Sequence, residues 1–379
     1  MHSKIYNCQN CHQNFQIEPE DFTFYDKIKV PPPTWCFDCR LQRRFANRNE
    51  RALYKNKCGL CGLSVVSMCA PDSGFISYCQ KCWYSDGWDA INYGVDYNFS
   101  KPFFQQFFEL QRKIPRINFY GTNNQNSDYA NNSWNSKNIY LSISALDSED
   151  IMYSRAVDKS INCIDCLHLT NSELCYECID VDKGYKSTEL IESRNCIDSQ
   201  FLFDSANCTN CFMSSNLRNK EYIIKNKQYT KEIYQQEIKK FDIGSEALFS
   251  KLKNQFVEIA KKSLHKYANI IKANNCTGDA ISNSRNIKNS FYVFDSEDSK
   301  NCLRGHHLKD VYDANNLVHS EIVYEGNNVG FGGYNLKFIT NVVTNVSSIE
   351  YSDSCHSSSN LFACIGLRNK QYCILNKQY

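Results

Sequence analysis

The chemistry this sequence advertises lies in its cysteines. Cys8-Gln9-Asn10-Cys11 and Cys36-Phe37-Asp38-Cys39 form two C-x2-C pairs with 24 residues between them, and Cys58-Gly59-Leu60-Cys61 and Cys79-Gln80-Lys81-Cys82 repeat the pattern with 17 between. Two thiolates three positions apart at a tight turn can reach one ion, and a tetrahedral ion needs two such pairs and no other ligand. The sets therefore predict two structural zinc ions, one on Cys8, Cys11, Cys36 and Cys39, the other on Cys58, Cys61, Cys79 and Cys82. A thioredoxin-like redox pair would stand alone at a strand-to-helix junction rather than in paired sets. Cys69 lies outside both sets and reads as a small buried apolar residue.

The chain has 21 cysteines, an odd count, and its opening Met1 to Cys8 lacks the apolar core of a leader. No stretch approaches the eighteen or so apolar residues of a membrane span. Reduced thiols, a cytoplasmic location and no membrane partner are expected. Net charge is only +2, from 43 basic and 41 acidic side chains, so attraction to a polyanion has to come from a local patch. Residues 40 to 57 supply one, with seven basic residues against the single acid Glu50. On a helix running from Arg40 toward Tyr54, residues Arg40, Arg44, Arg48 and Arg51 fall within about 80° of one face. Such a stripe predicts phosphate contacts with nucleic acid or ribonucleoprotein. The competing reading is a solvated face paired with Glu18, Glu20, Asp21 and Asp26.

The elements that must position these residues begin with the head, residues 1–85, where a second ligand pair on the first turn of a helix gives a treble-clef or zinc-ribbon arrangement. A hairpin is expected around Pro71-Asp72-Ser73-Gly74. Residues 86–125 form a connector whose Pro102 to Leu110 segment reads as an amphipathic helix docking head to body.

The body is duplicated: Leu217 to Tyr229 matches Leu367 to Tyr379 at ten of thirteen positions. The halves span 126–229 and 276–379. Short β-prone runs such as Asn138-Ile139-Tyr140-Leu141 and Asp150-Ile151-Met152-Tyr153 recur about every twelve residues, and Leu336-Lys337-Phe338-Ile339 continues them in the second half. Asn, Asp and Ser punctuate them. This pattern predicts a mainly β fold with a β-solenoid body, each coil using about two runs, with Asn and Asp stacked at the corners and Cys, Ile and Leu inside. Between the halves, residues 230–275 form an α-helical insert, with Thr230 and Ser245 as caps, lying as a lid on the solenoid. The chain ends at Tyr379 where the first copy continues into Thr230, so the second half is either cut short or dispenses with a helix.

Cys163, Cys166, Cys175 and Cys178 can be a third metal site, but Cys163, Cys175, Cys196 and Cys208 recurring at one point of the period favour an interior cysteine ladder. Glu149, Asp150, Glu173, Glu297, Asp298 and Glu321 repeat as corner residues more than as a catalytic pair. No HExxH, GxSxG or phosphate loop is present.

The span from Tyr6 to about Arg44, with its Cys8/Cys11 knuckle, Phe15, Glu18-Pro19-Glu20-Asp21-Phe22-Thr23-Phe24-Tyr25, Pro32-Pro33 and Cys36-Phe37-Asp38-Cys39-Arg40, resembles a family of zinc-ribbon domains of uncharacterised bacterial and phage-type proteins. That resemblance implies four cysteine ligands, which fall on Cys8, Cys11, Cys36 and Cys39. From Asn49-Glu50-Arg51 through Cys82-Trp83-Tyr84-Ser85-Asp86 to the Leu-Arg-Asn-Lys repeats, the chain is similar to longer proteins of reduced-genome bacteria and large viruses with no assigned activity. The expectation is a non-enzymatic zinc protein that associates with nucleic acid or ribonucleoprotein through the head. The alternative is a structural or assembly scaffold whose solenoid binds a protein partner, and a β-helical carbohydrate-active enzyme stands third.

Overall fold

The computed structural model describes residues 2–46, 48–241, 243–318, 320–326, 333–337 and 346–379. The expected run at Phe338 and Ile339 lies outside them. The fold is mainly β, with a small two-part head and two β-solenoids.

Strands β1 (Lys4–Asn7) and β2 (Asn14–Ile17) form a hairpin, followed by α1 (Pro19–Lys27) and α2 (Phe37–Phe45). Strands β3 (Tyr54–Lys57) and β4 (Ser64–Ser67) form a second hairpin, followed by β5 (Ser77–Tyr78) and the single turn α3 (Gln80–Trp83). The segment around Ser73 is a turn, with the Ser73 N–H on the Ala70 carbonyl, but no hairpin forms there: β5 pairs in parallel with Arg116–Ile117 instead. Helix α2 stops at Phe45 rather than reaching Tyr54. Beyond it the Asn49 side chain donates to the Met68 carbonyl, Arg48 turns to Glu50, and Tyr54 already begins β3. The connector helix α4 (Phe103–Lys113) buries Phe107 and Leu110, and Phe103 packs on Tyr351 and Phe362 of the second solenoid.

In the solenoids, parallel strands pair in a twelve-residue register, as in Ile139↔Ile151 and Arg155↔Leu167. Each coil is therefore one twelve-residue run, not two. The cause is a unit shorter than the period: from Asn132 to Lys225 every third residue is left-handed, as at Asn138, Leu141, Ser144 and Asp147, so four corners close a coil. No Val, Ile or Thr occupies a left-handed position among the described residues. That follows from the clash a branched Cβ meets at positive φ. Amide ladders stabilise the corners, for example Asn126 to Asn138 at 2.9 Å and Asn138 to Asp150 at 2.7 Å, and Asn283 to Asp295 at 3.1 Å in the second solenoid. The expected Asn and Asp corners are there, and they stack.

The residue after each corner points inward, into a space wide enough for Ser, Cys, Ala, Val, Ile or Leu. Serine suits it because its hydroxyl donates to a carbonyl two residues back while accepting an N–H from the next coil. Ser160 Oγ bonds the Asp158 carbonyl at 2.9 Å and receives the Ser172 N–H at 3.1 Å. Cysteine keeps the first of these bonds: Cys196 Sγ reaches the Arg194 carbonyl at 3.4 Å and Cys208 Sγ the Ala206 carbonyl at 3.3 Å. All the body cysteines named above are buried, as interior rungs. They do not share one column, however. Cys163 stacks under Cys175, whereas Cys196 and Cys208 stack above Gly184 one corner away.

That wiring sets two expectations for stability. Ser160→Ala orphans the Ser172 N–H and should destabilise by about 1–3 kcal/mol. Cys208→Ser should change stability by less than about 1 kcal/mol, because the same column carries Ser148, Ser160 and Ser172, whose hydroxyls are already satisfied. Urea denaturation followed by circular dichroism checks both. A larger loss at Cys208 than at Ser160 would contradict this account of the interior.

The duplicated segments have a common structural task. Arg218–Ile224 folds back on Lys227–Gln228, and Gln371–Ile374 on Lys377–Gln378, as antiparallel hairpins that end each solenoid. In each, an asparagine bonds the preceding coil: Asn226 Oδ1 accepts the Ser215 N–H at 2.8 Å, and Asn376 Oδ1 the Ile365 N–H at 2.7 Å. An uncovered last coil would offer a free strand edge. At the first solenoid that end is covered by the insert, α5 (Lys231–Ile238) and α6 (Glu246–Lys262), whose Phe249, Leu252 and Phe256 pack with Phe201 and Phe212. The lid reading holds, although the helices end at Lys262. Thr230 caps α5, and Ser245 makes no side-chain cap bond. At the second solenoid the connector does the covering: Asn376 Nδ2 donates to the Ala90 carbonyl at 2.9 Å and the Val95 N–H to the Leu375 carbonyl at 3.1 Å. Among the described residues no helix is long and apolar enough to cross a membrane.

Candidate metal centres and the head interface

Both four-cysteine sets converge. The Sγ atoms of Cys8, Cys11, Cys36 and Cys39 lie within 4.8 Å of one another, and so do those of Cys58, Cys61, Cys79 and Cys82. These are the groups of three or more potential ligands among the described residues.

The two centres are wired alike. In each hairpin the first cysteine's N–H bonds the carbonyl five residues on, Gln13 for Cys8 and Leu63 for Cys58, which closes a tight knuckle. The next residue bonds a carbonyl two positions before the third ligand: Gln9 to Thr34 at 3.0 Å, Gly59 to Ser77 at 2.8 Å. That bond carries Cys36 and Cys79 to the caps of α2 and α3, and places Cys39 and Cys82 on the first turns. The knuckle-plus-helix geometry expected for the head is present twice.

Chemically the pockets suit a soft divalent cation. The ligand atoms are all sulfur, and backbone N–H groups already point at them: Cys36 N to Cys8 Sγ at 3.2 Å, Cys79 N to Cys58 Sγ at 3.3 Å. At Cys8 burial opposes ionisation, but the N–H groups of Cys11, Cys36 and Asn10 outweigh it and bring the thiol down to about 6. Cys58 falls to about 6 for the same reasons. Burial and the neighbouring sulfurs push Cys36 and Cys82 up to about 12. Four thiolates cannot share so small a space unless a cation compensates them. The two sets can therefore each hold a metal ion.

The basic stripe is not a free phosphate-facing surface. Arg40 and Arg44 are each 3% exposed, because α2 lies on the second solenoid rather than on solvent. Arg40 Nη2 sits 2.8 Å from Asp313 Oδ2 and its Nε 3.0 Å from the same oxygen, while Arg44 lies 3.9 Å from Asp313 Oδ1. Arg43 clasps Glu325, and Arg48 pairs with Glu50. Of the four stripe residues only Arg51 is exposed. The expected partners Glu18, Glu20, Asp21 and Asp26 do not neutralise the stripe. Asp21 instead meets Lys300 at 2.8 Å, alongside a Phe24–Tyr312 stack at 3.8 Å.

Sequence reasoning missed Asp313 and Glu325, the residues that give those arginines their task. Asp313 ends a corner ladder running Asn289, Asn301, Asp313, and a carboxylate closing a row of amides was the available signal. The second centre is locked down in parallel: Arg368 Nη1 donates to the Trp83 carbonyl at 2.6 Å, Nη2 to the Trp88 carbonyl at 3.1 Å, and the guanidinium lies 5.1 Å over the Trp88 ring. Arg218, its duplicate, pairs with Asp204 at 2.9 Å instead.

No family model and no curated protein matches the chain.

Proposed function

We propose that this chain is a non-enzymatic scaffold in which two structural zinc ions brace a head that clamps the second solenoid, leaving the solenoid flanks to a protein partner. The observation that carries this reading is the burial of Arg40 and Arg44 against Asp313: the face of the zinc-braced helix that would read phosphates faces the body instead. All-sulfur shells favour zinc and leave no open ligand position for catalysis. An outward aromatic row, Tyr129 to Tyr140 at 5.4 Å and Tyr140 to Tyr153 at 5.7 Å, is the surface on which the scaffold reading places a protein.

Association with nucleic acid through Arg40, Arg44, Arg48 and Arg51 is the competing function, and absorbance separates the two. Full-length protein purified without nuclease should show a protein-like 260/280 ratio, unchanged by Arg51→Glu. A nucleic-acid-like ratio that Arg51→Glu abolishes would overturn the scaffold reading in favour of the stripe.

A further inference from the structure

Four arginines converge where the head meets both solenoids, and the coil register locates them. The solenoids lie side by side and antiparallel. The His168 ring sits 4.4 Å from the Tyr292 ring, and Tyr292 Oη donates to Asp180 at 3.2 Å. Two coils onward in the first solenoid, Glu192 accepts from Asn269, which lies two coils back in the second. One coil the other way brings Arg155 and Ala156 opposite Arg304, at a spacing of about 4.8 Å per coil. The head forms the third wall. Asn131, two coils above Arg155 in the same column, donates to the Glu50 carbonyl at 3.1 Å and so fixes Arg48 and Arg51 beside it.

The positive charge there is not balanced. The Glu50 carboxylate is engaged by Arg48, and Asp180 by His168 and Tyr292. Arg155 and Arg304 form no ion pair among the described residues. Burial, reinforced by Arg155 and Arg48, brings Arg304 down to about 10, and Arg155 is lowered by burial together with Arg51 and Arg48. Arg51 is exposed and Arg155 and Arg304 are half-buried, so a solute can reach these three, while Arg48, its side chain 10% exposed, is held by Glu50 and adds its charge.

We propose that Arg155, Arg304, Arg48 and Arg51 form a binding site for a compact phosphate-bearing anion that closes the seam between the head and the two solenoids. Guanidinium forks match phosphate oxygens two at a time, and phosphate supplies the negative charge this seam lacks. Walls from three separate elements suit a free or terminal phosphate group, whereas a nucleic-acid strand needs an open row of cations. The site goes beyond the scaffold reading and does not depend on it, since it involves no zinc ligand.

Full-length, metal-loaded protein should be titrated with inorganic phosphate, pyrophosphate, ATP and a ten-nucleotide oligothymidine at constant ionic strength, with chloride as control. Thermal shift and calorimetry are the readouts. At least one of the first three should raise the melting temperature saturably, and the responding members identify whether the source is free phosphate or a nucleotide. Arg155→Gln combined with Arg304→Gln should weaken binding at least tenfold, while Lys239→Gln on the exposed end of α5 leaves it intact. Arg155→Gln and Arg304→Gln, each alone, should melt no lower than wild type in the absence of ligand, because repulsion is relieved. Failure of all three phosphates to exceed chloride, binding by the oligonucleotide alone, or full binding by the double variant would overturn the proposal.

Discussion

Removing metal from the purified chain will unfold the head while most of the body's β-structure persists. Apart from its contacts with the body, the head has little of its own to hold it together: its hairpin strands are four residues long, α3 is one turn, and each centre ties a knuckle to a helix that it otherwise touches through few bonds. Such elements are marginal alone, and structural zinc contributes about 10–16 kcal/mol of apparent binding free energy in small zinc-dependent folds. A strong chelator, or Cys39→Ser with Cys82→Ser, should shift tryptophan emission to the red, because Trp83 at 1% exposure and Trp88 at 8% lose their cover. Far-ultraviolet dichroism should keep most of its β signal, since no ligand lies beyond Cys82. Chelated protein that melts as the native chain does, with both metals demonstrably gone, would show that the thiols support the head without an ion.

The second large effect belongs to Asp313. Its side chain is fully buried beside the guanidinium of Arg40, so Asp313→Ala leaves a desolvated positive charge without a counterion. Loss of one partner from such a pair costs about 3–5 kcal/mol, whereas replacing both by apolar residues is often neutral. Arg40→Met combined with Asp313→Leu should therefore recover most of the stability lost by Asp313→Ala alone. Lys27, which meets Asp310 at 2.7 Å with nearly half its side chain in solvent, gives the contrast: Lys27→Ala should cost no more than about 1 kcal/mol. Equal losses at Lys27 and Asp313 in urea titrations would mean that the buried pair does not anchor the head.

The two four-cysteine clusters were legible in the sequence because the spacing within C-x2-C is covalent and local: a knuckle needs nothing distant to form it. The solenoid was legible through its twelve-residue recurrence. Its three-residue unit was hidden, since the left-handed positions accept Leu141, Tyr153 and Lys159 as readily as Asn138, and only the absence of β-branched residues marks them. Helical periodicity rightly set Arg40 and Arg44 on one face but could not say what covers that face. Asp313 and Glu325 arrive from far along the chain, and what makes them neighbours is a coil count that the duplicated hairpins terminate. The same limit applied to Arg155 and Arg304, ordinary surface residues until the antiparallel register aligns them.

The most direct test of the central claim is elemental analysis of freshly purified full-length protein, joined to X-ray absorption at the metal edge. The account predicts two zinc ions per chain, each surrounded by four sulfurs at about 2.3 Å, with one ion lost in Cys39→Ser. One ion or none per chain, or a shell containing nitrogen or oxygen, would contradict it.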